Sequence, residues 1–193
     1  MSQCQEQQQQ QQQQQINEPY KLVCGKDNQV LVFDADVVLK LRTDHQIVGS
    51  LEGSHPTNPL QNGFMYLPLL LLPEETALLL ERGAVELHGE PFTWPEGDQD
   101  KIRFGLFKDL HSRGYYITRG LKFGGDYLLY PGEPMRFHSS HIVSLVDHKQ
   151  PFTPRELIAL VRLGTTVKKT RVLSSWNQNS SNFTHVCMNW SAM

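Results

Sequence analysis

Apolar and polar positions divide the chain into a glutamine tract and two patterned regions. Residues Gln7 to Gln15 are nine consecutive glutamines. Such a run has no apolar face to bury, so residues 1–17 are expected to form a disordered tail. Past Tyr20, QVLVF (29–33) predicts a short strand, ADVVLKLRTDH (35–45) a helix and QIVGSL (46–51) a further strand. The stretch 54–62, with Pro56 and Pro59, predicts a loop. A helix is expected from Pro73, with Glu74 and Glu75 in its first turn, Leu78 to Leu80 as apolar surface and Gly83 as a left-handed stop. The Pro-, Gly- and acid-rich segment 88–100 reads as a linker. The expected division is therefore an N-terminal domain over 18–88, a linker over 89–100 and a second domain over 101–193.

The second region is patterned more sharply. IRFGLFKDLHSR has helical spacing through Ile102, Leu106 and Leu110, closed by Gly114. YYIT (115–118) and DYLLY (126–130) predict strands. After the turn YPGEP, RFHSSHIVSLV (136–146) predicts another. Thr153, Pro154 and Glu156 form a capping box for a helix expected to end at Gly164. VKKTRVL and FTHVCMNW then predict two strands joined by the polar loop NQNSSN. The order α-β-β-β-α-β-β defines an α+β class with mainly local strand pairing.

Composition changes this picture little; the distribution of charge changes it more. With 39% hydrophobic and 20% charged residues, the chain reads as a globular protein. Its longest apolar run, Leu67 to Pro73, is too short to span a bilayer, and no secretory signal is visible. Cys4, Cys24 and Cys187 form no CxxC pair or zinc framework and read as reduced intracellular thiols. The net charge is −2, yet residues 1–103 hold 7 basic and 15 acidic side chains while residues 104–193 hold 11 and 5. A C-terminal region at +6 suits a polyanion such as RNA, or equally an acidic protein.

Candidate chemistry concentrates in that basic region. His138 and His141, three apart on a predicted strand, would point to opposite faces, and no carboxylate cluster joins them, so a metal site is not expected. KFGG (122–125) reads as a tight turn. What remains is tyrosine, histidine and lysine. Together these suit one reaction, the cleavage of RNA by its own 2′-hydroxyl. That reaction needs a base for the 2′-OH proton, an acid for the departing 5′-oxygen and a fixed cation for the phosphorane. Histidine is the natural acid near neutral pH, whereas tyrosine becomes a base only where its site lowers its pKa. Of the adjacent Lys168 and Lys169, a strand would present only one to a given face. Each residue also has an ordinary structural role, and residue type alone leaves catalysis as one alternative.

GLKFGGDYLLYPGEPMRFH (120–138) and RLGTTVKKTRVL (162–173) resemble the signature of the tRNA-splicing endonuclease family, and YPGEPMRFH resembles its subunit that cuts the 3′ splice site. VVLKLRTDHQIVGSLEG and LPLLLLPEETALLLERGAV resemble that subunit's N-terminal domain, so the likeness spans about residues 29–193. The resemblance implies a small N-terminal α/β domain followed by a mixed-sheet, restriction-endonuclease-like nuclease domain. It implies Tyr130 as general base, His138 as general acid and Lys169 as transition-state cation, with no cofactor or metal. Arg162 and Trp190 match positions that grip a flipped intron base for a partner subunit's active site. The implied partners are intron-containing pre-tRNA, a small structural subunit bound through the C-terminal strand, and a second catalytic subunit with its own structural partner in a nuclear heterotetramer. The family resemblance also admits a non-catalytic scaffold role, against which the complete trio argues. The linker is short for this subunit, the glutamine tract has no family counterpart, and SSH follows the histidine where an alanine-containing stretch is more usual.

Overall fold

The computed structural model describes residues 18–52 and 67–190. The expected disordered tail and the loop over 54–62 lie outside the described residues.

The N-terminal domain is a five-stranded sheet of order β3-β4-β2-β1-β5, flanked by two helices. Its strands are β1 (Tyr20–Cys24), β2 (Val30–Val32), β3 (Ser50–Leu51), β4 (Leu69–Leu71) and β5 (Val85–Gly89). Helix α1 (Ala35–His45) covers the predicted span, because Asp34 caps it by accepting from the Asp36 and Val37 amides at 2.8 and 3.4 Å. Helix α2 (Pro73–Glu81) also follows expectation, and Gly83 holds the left-handed φ of +63° that ends it. The buried Glu75 carboxylate accepts from the amides of Val48, Gly49 and Leu72 at 2.8 to 3.0 Å, pinning the bend after α1 to the start of α2.

The C-terminal domain follows the predicted order: α3 (Asp98–Ser112), β6 (Tyr116–Arg119), β7 (Tyr127–Tyr130), β8 (His141–Leu145), α4 (Pro154–Thr166), β9 (Thr170–Asn177) and β10 (Asn182–Met188). A short 3₁₀ turn, Leu121–Phe123, lies between β6 and β7. The sheet order is β10-β9-β8-β7-β6; β8 and β9 run parallel across the α4 crossover and the other neighbours are antiparallel. The capping box at α4 forms as predicted: Glu156 N donates to Thr153 Oγ1, and Thr153 N donates to the Glu156 carboxylate at 2.7 Å.

Several expected boundaries move, each for a local reason. Helix α3 begins at Asp98, inside the expected linker, because Asp98 and Asp100 complement its N-terminus. Helix α4 runs through Gly164 to Thr166. That glycine is a close-packing position, where a Cβ would lie 2.8 Å from the Lys169 carbonyl oxygen. Only 50–51 of the segment 46–51 is strand, since Gln46 and Gly49 take left-handed backbone. Only 141–145 of the segment 136–146 is strand. Strands β1, β4 and β5 are additional to the strands that the sequence pattern predicts. They are short, and their pairing with one another and with β2 is set by tertiary contacts.

One apolar core spans both domains, joining Leu22, Val30 and Leu41 to Phe104, Phe107, Ile117 and Tyr127. Polar contacts reinforce the junction. The Tyr127 hydroxyl donates to Glu74 at 2.7 Å, and Lys108 pairs with Glu81 at 3.2 Å. Burial lowers the His111 pKa, which suits a neutral ring donating from Nε2 to the His45 carbonyl at 2.8 Å and accepting from Arg82 at Nδ1. The guanidinium of Arg42 in α1 pairs with Glu133 of the turn after β7.

Candidate active site

Strand direction gathers the three expected catalytic residues at one end of the C-terminal sheet. Because β8 is antiparallel to β7 and parallel to β9, the end of β7 lies beside the starts of β8 and β9. Tyr130 is the last residue of β7, His138 lies three residues before β8, and Lys169 immediately precedes β9. Backbone bonds tie these ends together. Ser140 N donates to the Leu129 carbonyl at 2.8 Å, and Thr170 N donates to the Ser140 carbonyl at 2.9 Å. The segment after His138 is thus held between the residue before Tyr130 and the residue after Lys169. The lysine adds a side-chain tie, with Nζ donating to the Ser139 carbonyl at 2.9 Å.

Each member sits in a distinct setting. Tyr130 is half-buried, and in the β6–β7 register it faces Tyr116. His138 is exposed and belongs to an irregular segment, which corrects the expectation of a strand there. That segment starts as a turn in which the Glu133 carbonyl accepts from Arg136 N and Phe137 N at 2.8 and 3.0 Å. Gly132 lies close under the Phe137 ring, 2.7 Å from where a Cβ would stand, so a larger residue there would displace that ring. Lys169 is partly buried and its desolvation lowers its pKa. The two lysines do not alternate along a strand as expected. Lys168 takes a left-handed φ of +54° and is exposed, and β9 begins only at Thr170.

Three supporting groups were not legible as such. The Phe123 ring lies 5.4 Å from Lys169 Nζ, a cation–π contact that limits where the ammonium points. Arg171, 1% exposed, donates to the carbonyls of Phe123 and Gly124 and to Ser144 Oγ at 2.8 Å, fixing the turn that carries this ring. The Arg42–Glu133 pair reaches the turn before His138 from the other domain. KFGG signalled the first of these as a turn, and Gly124 does adopt the left-handed conformation. Nothing in the local pattern marked Arg171 or Arg42.

The remaining candidates sit on other elements. Arg162 is exposed on α4; Trp190, 47% exposed, follows the end of β10 at the sheet edge. His141 accepts or donates at Ser140 Oγ through Nδ1 at 2.7 Å, with its ring edge-on to Tyr115. Among the described residues, no three His, Cys, Asp or Glu side chains form a candidate metal cluster, and no helix is long and apolar enough to cross a membrane.

Fold and site define a two-domain α+β protein whose C-terminal mixed sheet gathers a tyrosine, a histidine and a lysine at adjoining strand ends. Residues 20–90 match the model of the TSEN34-like N-terminal domain, and residues 101–184 match that of the tRNA intron endonuclease catalytic C-terminal domain. The mouse tRNA-splicing endonuclease subunit Sen34 is 30% identical over 156 residues, covering 75% of this chain and 47% of that protein. The human Sen34 subunit is 29% identical over 163 residues, covering 78% and 51%. A tRNA-splicing endonuclease of Methanopyrus kandleri is 32% identical over 117 residues, covering 55% and 65%. The chain belongs to the tRNA-splicing endonuclease family. It spans about half the length of these mammalian relatives.

Proposed function

We propose that this chain is the catalytic subunit of a tRNA-splicing endonuclease, cleaving intron-containing pre-tRNA at the 3′ splice site without a metal. The observation that carries this reading is the convergence of Tyr130, His138 and Lys169 at adjoining strand ends, with the lysine bonded to the backbone beside His138. Tyr130 takes the 2′-OH proton as the 2′-oxygen attacks phosphorus. His138 gives its proton to the 5′-oxygen as the P–O5′ bond breaks. Lys169 offsets the charge that builds on the non-bridging oxygens. The products are a 2′,3′-cyclic phosphate and a 5′-hydroxyl.

Arg162 and Trp190 hold an intron base by stacking for a partner's active site, which suits their exposure. The edge strand β10 docks the small structural subunit by strand addition. The complete enzyme is a nuclear heterotetramer with a second catalytic subunit and its structural partner. The test is cleavage of an intron-containing pre-tRNA by the assembled enzyme in EDTA. His138→Ala is expected to abolish the 3′ cut and leave the 5′ cut; persistence of the 3′ cut overturns the reading. Arg162→Ala should weaken the 5′ cut more than the 3′ cut.

A further inference from the structure

The turn that delivers His138 is anchored from outside its own domain. Residues 131–137 form no ladder with a neighbouring strand, so their conformation depends on a few contacts. Glu133 is the hub. Its carbonyl caps Arg136 N and Phe137 N, and its carboxylate accepts from Met135 N at 3.4 Å and from the Arg42 guanidinium. The Arg42 side chain is 5% exposed and that of Glu133 25%, so the pair is shielded from the water that weakens surface ion pairs. Arg42 is itself fixed by its place in α1, whose Leu41 and Val38 lie fully in the core. A second contact holds the same point of α1 against the catalytic sheet: the Tyr116 hydroxyl donates to the Arg42 carbonyl at 3.4 Å.

We infer that Arg42 is a positioning residue for the general acid: through Glu133 it holds the 131–137 turn so that His138 meets the leaving 5′-oxygen. The inference rests on the catalytic reading of His138 given above. A buried, planar guanidinium on a rigid helix can define the position of a carboxylate in a way that a mobile surface lysine cannot. Releasing it lets the turn drift, and displacements of about 1 Å can cost on the order of 100-fold in rate.

The experiment uses the chain assembled with its partner subunits and a pre-tRNA with either the natural 5′-oxygen or a bridging 5′-sulfur at the 3′ splice site. A sulfur leaving group departs as a thiolate, because thiol pKa values lie near ~8.5, and so it needs no proton from His138. On the oxygen substrate, Arg42→Gln and Glu133→Gln should each lower single-turnover kcat by about 10- to 100-fold, with KM changed by less than about two-fold. The double variant should be no worse than either single one, because both break the same contact. On the sulfur substrate the loss should shrink to within about three-fold, as it should for His138→Ala.

An equal loss on both substrates overturns the positioning role, as does a loss in Glu133→Gln that only follows failure to assemble. If Arg42→Gln does not assemble, the more exposed Glu133→Gln decides. Full oxygen-substrate activity in His138→Ala overturns the catalytic reading itself. Full activity in Glu133→Gln alongside a dead His138→Ala overturns only the present inference.

Discussion

Tyr127→Phe isolates one of the hydrogen bonds that join the two domains, made from the first residue of β7. The ring is 2% exposed and packs edge-on against Phe107 at 6.0 Å, contacts that phenylalanine retains. The substitution removes one hydroxyl, which donates to Glu74 Oε1 at 2.7 Å in the first turn of α2. Burial, and then the Glu74 charge, push the tyrosine pKa upward, so the proton stays on the hydroxyl. A hydrogen bond to a charged group contributes about 1.5–3 kcal/mol. Glu74 and Tyr127 also line a cleft with Trp94, Arg103 and Asp126, so water can partly replace the lost donor. The expected cost is therefore near the lower end, about 1.5–2 kcal/mol. For a chain of this size that corresponds to a fall in Tm of roughly 3–8 °C. Thermal unfolding followed by circular dichroism measures it. Glu74→Gln, which keeps an acceptor oxygen, should cost less. A Tm within about 1 °C of the parent would refute the idea that this bond holds the domains together.

Three further outcomes are expected. Burial raises the Glu75 pKa from 4.5 to about 7 against the opposing pull of three backbone amides. Its contribution is therefore complete below about pH 4.5 and lost as pH rises through 7. Relative to Glu75→Gln, the parent should gain on the order of 1–3 kcal/mol in urea unfolding between pH 8 and pH 5, and a pH-independent difference would sink this account. Gly164→Ala puts a Cβ 2.8 Å from the Lys169 carbonyl oxygen; it should destabilise by about 1–3 kcal/mol and slow cleavage, and unchanged melting would show that α4 can yield. Phe123→Leu removes the ring 5.4 Å from Lys169 Nζ and should lower kcat several-fold with little change in Tm, a loss confined to KM arguing against it.

Much was written locally. The capping box at Thr153 and Glu156, the Asp34 cap and the stop at Gly83 act over three or four residues, so short stretches of local sequence suffice to place α4, α1 and the end of α2. The same holds for the order of elements in the C-terminal domain. The catalytic candidates were legible through a resemblance rather than through chemistry, since a tyrosine, a histidine and a lysine spread over forty residues carry no local signature.

What tertiary structure alone decided depends on contacts between distant segments. Strand direction brings Tyr130, His138 and Lys169 to one sheet end. The left-handed Lys168 turns the lysine pair out of the expected alternation. Pairing across 65 residues makes β5 the parallel neighbour of β1, and Arg42 meets Glu133 across 91. Periodicity reports which face of an element is buried. It is silent on which partner buries it, because a partner far along the chain is selected by the shape and charge of the whole core.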